Sequence, residues 1–265
     1  LWVWLALRSG RVTRISAWGA VSFLVGLFLI WVAMASAVAA LDHELLTVHM
    51  LQHLLLMTFA PPLIWLGAPV GPILRGLPQC FAENLLVPFW QSRAVNRIAE
   101  RLGRPKFAWL AVSAALIGWH VPKLFAFGMQ SVGWHLFEQL SFLGTGLLFW
   151  RPIVQSSAGA GPQDLSLIVY LFFATLPCDI LSGFLVFCDR VVYPMYFSSS
   201  HLLGLSALAD QECAAALMWT SVTVVYFVAG AILTMRLLSP QAGLEQPKLR
   251  ERRIGHRVSL RLEAV

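Results

Sequence analysis

A chain of 265 residues that is 58% hydrophobic and only 12% charged, with a mean hydropathy of +0.72, has too few charges to cover a soluble globule of its size. Its repeated apolar stretches of about 20 residues exclude a single soluble core and indicate a polytopic helical membrane protein. The net charge of +6 does not imply nucleic acid, because the Lys and Arg residues sit in loops and tails beside apolar segments, where membrane orientation accounts for them.

The chain opens on Leu1, and the apolar run 1–7 followed by Arg8, Arg11 and Arg14 reads as the end of a truncated N-terminal span entering a basic loop over 1–16. The first full span is expected over 17–40, then an acidic turn Leu41-Asp42-His43-Glu44, then a second span over 45–66. Pro61 and Pro62 remove two backbone donors near its end, so a kink or a stop is expected there. Residues 67–105 form the longest connection, within which 81–102 suits an amphipathic helix on the membrane surface. A third span, 107–121, ends at Trp119-His120-Val121-Pro122, and a fourth, 132–150, begins with His135 and Glu138.

A polar loop over 155–164 leads to a fifth span, 165–187, with a kink expected at Pro177. An irregular connection over 188–207 holds His201, and the sixth span, 208–237, carries Asp210 near its start. The fold class is therefore all-α: a polytopic transmembrane helical bundle over 17–238, with six full spans plus the truncated one, and a basic cytoplasmic tail over 239–265.

Of the 19 Lys and Arg residues, only Lys123 and Arg190 fall on one side of this topology; all the others fall on the opposite side. The positive-inside rule makes that opposite side cytoplasmic. His43, His49, His53, His120, His135 and His201 then lie in or near the outer half of the membrane with Glu138 and Asp210, whereas His256 lies in the tail.

His49, His53 and Met57 recur every four residues, forming one stripe on the second span. Two imidazoles one turn apart in hydrocarbon need partners, and metal sites use that spacing. A hydrogen-bonded histidine pair is the plainer alternative. His135 with Glu138, one turn apart, adds an imidazole and a carboxylate able to orient it. His120 is either a ligand or an interfacial anchor beside Trp119, and Asp210 either a ligand or a helix cap. Met50, Met57 and Met218 are either packing or soft ligands. Imidazole, thioether and carboxylate favour copper over magnesium or calcium, with zinc possible. Haem held by histidines on facing helices is the other cofactor to weigh. No Ser/His/Asp order or phosphate loop is present, so no enzymatic activity is expected. Cys80, Cys178, Cys188 and Cys213 lack metal or disulfide-scaffold spacing.

The run His49-Met50-Leu51-Gln52-His53-Leu54-Leu55-Leu56, with Ala60-Pro61-Pro62-Leu63 and Leu66-Gly67-Ala68-Pro69, resembles the signature of the CtaG family of polytopic cytochrome c oxidase assembly factors. Trp119-His120-Val121-Pro122, His135 to Phe149-Trp150, Tyr193-Pro194 and Leu208-Ala209-Asp210-Gln211 follow in the family's order. The resemblance implies a bacterial inner-membrane protein that supports a haem–copper oxidase, handling copper at a periplasm-facing site. Its implied partners are membrane lipid and either oxidase subunits or another copper protein. The polar motif positions carried over are His49, His53, His120, His135, Glu138, Asp210 and Gln211. A b-type haem redox protein, or a proton or substrate transporter using the same histidines, is the alternative. The chain departs from the family after Met218-Trp219, where Thr220-Ser221-Val222 replaces the usual Pro-Gly break, so a straighter sixth span is expected.

Overall fold

The computed structural model describes residues 17–67, 97, 101–155, 162–197 and 204–238, with side chains of the sixth helix described from Leu165. The predicted loop and tail over 1–16 and 239–265, most of the surface helix over 81–102, and His201 lie outside the described residues. Among the described residues every regular element is helical and there is no strand. The helices are α1 (Ala17–Ala35), α2 (Leu46–Leu66), α3 (Pro105–His120), α4 (Pro122–Gly128), α5 (Val132–Val154), α6 (Pro162–Phe187) and α7 (Ala207–Leu238).

A helix stands at each of the six predicted spans, but six full crossings are not established. Four helical segments are long and apolar enough to cross a membrane: α1 with its continuation to Leu41, α2, α6 and α7. A fifth is reached if α3 and α4, bent by 86° at Val121, count as one broken span. The remaining helix, α5, has 23 residues, but His135, Glu138, Gln139, Ser141 and Thr145 interrupt its apolar run. That interruption is the price of a buried site.

The proline pair does not end α2. The backbone passes through a π-helical turn at Leu55–Phe59 and continues to Leu66. Widening the turn lets Ala60 N–H donate to Leu55 O, and it places Pro61 in the first turn of a fresh helical segment, where no donor is required. The Met57 carbonyl, which neither Pro61 nor Pro62 can serve, accepts instead from Trp150 Nε1 of α5 at 3.2 Å. Gly146 admits this approach: a Cβ there would lie 2.7 Å from Met57 O. The helix α6 likewise stays helical across Pro177, and α7 runs unbroken through Thr220.

The two C-terminal helices pair along their length, α7 also packs on the first part of α2, and α5 packs on both α3 and the lower part of α2. Phe149 of α5 stacks on Tyr170 of α6 and Tyr226 of α7, with ring centroids 4.9 and 5.4 Å apart. These contacts fix α2, α3 and α5 around one another, and their polar residues meet at the end of the bundle where α3 finishes and α5 begins.

Candidate metal centre

The first turn of α2 is held from outside. Leu45 caps it with no side-chain oxygen of its own, so the free amides of Leu46 and Thr47 find Asp210 of α7 instead. Leu46 N–H donates to Asp210 Oδ2 at 2.6 Å, Thr47 N–H to Oδ1 at 3.1 Å, and Thr47 Oγ1–H to Oδ1 at 2.6 Å. The carboxylate thus sits at the positive end of a helix dipole with both oxygens occupied. Asp210 is a cap, on α2 rather than on its own helix, and it stands apart from the groups of residues placed to share a metal ion.

That anchorage sets the rotation of α2, turning His49 and His53 inward. Both rings are buried, and their Nε2 atoms lie 2.7 Å apart. Glu138 of α5, also fully buried, brings Oε1 to 3.6 Å from His49 Nε2 and 3.3 Å from His53 Nε2. His49 packs on Phe125 and His53 on Phe142, so apolar walls enclose the polar atoms. The group His49, His53 and Glu138 has its ligand atoms within 4.8 Å of one another. Four of its buried atoms, His49 Nδ1, His53 Nδ1 and both Glu138 oxygens, have no hydrogen-bond partner. Orphaned polar atoms are costly in a dry interior, and a cation beside the Glu138 oxygens would relieve theirs. The donor set fits a transition metal rather than calcium, which needs six or more oxygens. Space at the carboxylate is kept by Gly128, where a Cβ would fall 2.9 Å from Glu138 Oε2.

Next to this group, His135 Nδ1 lies 3.4 Å from Glu138 Oε2, and its Nε2 lies 2.9 Å from Asp42 Oδ2. Burial opposes a charge on Asp42, but the hydrogen bond and charge of His135, helped by His43 and Gln52, outweigh it and hold the carboxyl below its usual range. Gln52 Nε2 donates to Ala39 O at 3.1 Å and to Asp42 Oδ2 at 3.3 Å, while Tyr196 O–H donates to Asp42 O at 2.8 Å. The turn after α1 is thereby pinned over the histidines.

His120 closes the opposite flank. Its Nδ1–H donates to Leu116 O at 2.7 Å, which fixes the orientation of the ring and turns Nε2 toward Met50. That nitrogen is 3.1 Å from Met50 Sδ, and the His120 and His53 rings stand 6.0 Å apart. Tyr193 O–H holds the end of α3 by donating to His120 O at 3.0 Å.

The structure therefore brings together His49, His53, His135 and Glu138, sets His120 beside them, and assigns Asp210 to the backbone of α2. Gln211 is a scaffold residue: Val192 N–H donates to its Oε1 at 2.8 Å, and its Nε2 donates to Leu185 O and Arg190 O. Sequence reasoning missed Asp42, which read as part of a turn, together with Gln52 and with Gln139, whose Nε2 lies 2.8 Å from His135 Nε2. Gln52 stands three residues after His49, close to the stripe in helical periodicity, but a neutral amide is not a residue type that marks a metal site.

Residues 1–239 match the family of cytochrome c oxidase caa3 assembly factors, Caa3_CtaG. The chain belongs to this family. Two curated relatives, an uncharacterized protein of Mycobacterium bovis and one of Mycobacterium tuberculosis, are each 28% identical to it over 222 residues. The match covers 80% of this chain and 32% of each relative, so the chain spans about a third of the length of the relatives it matches. No solved structure matches it. The histidine–carboxylate cluster lies within the matched residues.

Proposed function

We propose that this caa3 assembly factor handles copper for a haem–copper oxidase in the bacterial inner membrane, holding the ion at His49, His53 and Glu138 with His135 alongside. The carrying observation is the convergence of the buried His49 and His53 Nε2 atoms of α2 on the Glu138 carboxylate of α5, whose oxygens have no hydrogen-bond partner. Imidazole nitrogens would supply strong ligands for copper, and Glu138 would offset its charge away from water. A bare ion is preferred to haem because Phe125 and Phe142 already lie against His49 and His53, with centroids 4.8 and 4.1 Å away. Partners would be oxidase subunits or another copper protein that gives or takes the ion.

Orientation is part of the reading. Lys106 begins α3, while Arg151 and Arg236 lie near the ends of α5 and α7, all far along their helices from His120, His135 and Asp210. The positive-inside rule then turns the cluster to the periplasm and the C-terminus to the cytoplasm. Metal analysis of the purified protein tests the assignment: copper is expected in the wild type and absent from a His49→Ala/His53→Ala double variant. Wild-type copper content in that variant would refute it.

A further inference from the structure

We propose that Asp42 and His43, with His135, form an inlet through which the copper ion reaches the buried centre, His49 being the ligand that both stations share. The proposal rests on the reading of the buried cluster as a copper site and extends it to Asp42 and His43, which have no place in that reading.

Two groups of side chains have ligand atoms close enough to share an ion: Asp42, His49 and His135, and then His49, His53 and Glu138. They meet at His49, which is wholly buried and has an unpartnered Nδ1 in addition to the Nε2 facing His53. Exposure falls from His43 at the mouth, through the pair Asp42 and His135, to the centre. The His43 side chain is 56% exposed, His135 13%, Asp42 7%, and Glu138 and His49 are fully enclosed. Each step is short: His43 Nε2 to Asp42 Oδ1 is 3.8 Å, Asp42 Oδ2 to His135 Nε2 is 2.9 Å, and His135 Nδ1 to Glu138 Oε2 is 3.4 Å. The His43 and His135 rings stand 5.9 Å apart, and those of His135 and His49 5.5 Å.

A metal ion cannot cross an apolar wall without its water being replaced, so a path needs ligands at each step. Here the ligand type also changes with depth. A carboxylate and a solvated imidazole lie at the mouth, imidazoles with one carboxylate lie at the centre, and the Met50 thioether lies beside His120 behind them. Such an order releases water from the ion in stages and favours an ion that tolerates soft ligands. The mouth is preformed, since Gln52 and Tyr196 fix Asp42 from both its side chain and its backbone carbonyl.

An inlet residue governs the rate of loading and not the final occupancy, and this separates it from a resident ligand. Apoprotein in lipid nanodiscs is mixed with the Cu(I)–bicinchoninate complex, and loss of chelate colour is followed to completion. Asp42→Asn is expected to slow loading about tenfold, as befits removal of a steering carboxylate at a narrow mouth, with wild-type copper content at equilibrium. His43→Ala, on an exposed side chain that the fold does not need, is expected to slow it by about twofold or more and decides the matter if Asp42→Asn does not fold. Wild-type loading rates in the folded variants would overturn the inlet, as would a lower final content in Asp42→Asn. Absence of copper from the wild type would instead overturn the buried centre, and the inlet with it.

Discussion

Asp210→Asn separates capping from metal binding at one residue. In the wild type the Asp210 carboxylate accepts from Leu46 N–H, Thr47 N–H and Thr47 Oγ1–H at 2.6, 3.1 and 2.6 Å. Asparagine keeps one acceptor oxygen and turns an amide toward a donor, so a charge-assisted hydrogen bond is lost and one α2 amide is stranded in the interior. The loss of such a bond and the stranding of the donor each cost about 1–3 kcal/mol. A total of about 3 kcal/mol lowers the apparent Tm by about 6–12 °C for a chain of this size. The assay is thermal unfolding of the detergent-solubilised protein, paired with metal analysis well below the transition. Copper content is expected to match the wild type. An Asp210→Asn protein that keeps its Tm and loses its copper would refute the capping assignment and return Asp210 to the ligands.

Glu138→Gln keeps the shape of the side chain and removes its charge, and is expected to weaken copper binding by about tenfold or more in competition with a chelator. Trp150→Phe leaves the Met57 carbonyl without its donor, which Pro61 and Pro62 cannot replace, and is expected to lower stability by about 1–3 kcal/mol, read from thermal unfolding. Gly146→Ala places a methyl 2.7 Å from that carbonyl, a backbone atom that cannot swing aside, and should cost a similar amount. If either α5 variant unfolds like the wild type, the contact between α5 and the π-helical turn is not what supports the proline pair.

The fold was legible where hydrophobicity alone decides it. Long apolar runs gave α1, α2, α6 and α7 because about 20 such residues have few alternatives to a membrane helix. The count of crossings was harder because α5 mixes an apolar length with five polar residues, and because Val121-Pro122 turns the chain by 86° where the sequence suggested only an end. At the proline pair only half was legible. Their missing donors were visible at 61 and 62, but not the indole of Trp150, distant in sequence, that satisfies the freed carbonyl. A breaker signal describes the local chain, and a tertiary donor can cancel it.

The site shows the same division. The four-residue spacing places His49 and His53 on one face, and the three-residue spacing brings His135 near Glu138, so within-helix pairs could be read directly. Pairings between helices could not. Asp210 is 164 positions from Leu46, and the need it meets is a backbone amide, which every residue but proline carries and no sequence pattern marks. Asp42 was hidden for a related reason: an acid beside a helix start is ordinary, and its role comes only from α5 delivering His135 to within 2.9 Å. Buried carboxylates in this bundle thus have two fates that sequence cannot distinguish. Asp210 has its oxygens filled by protein donors and caps α2; Glu138 has no hydrogen-bond partner on either oxygen amid imidazoles, and the proposed copper site is built on that difference.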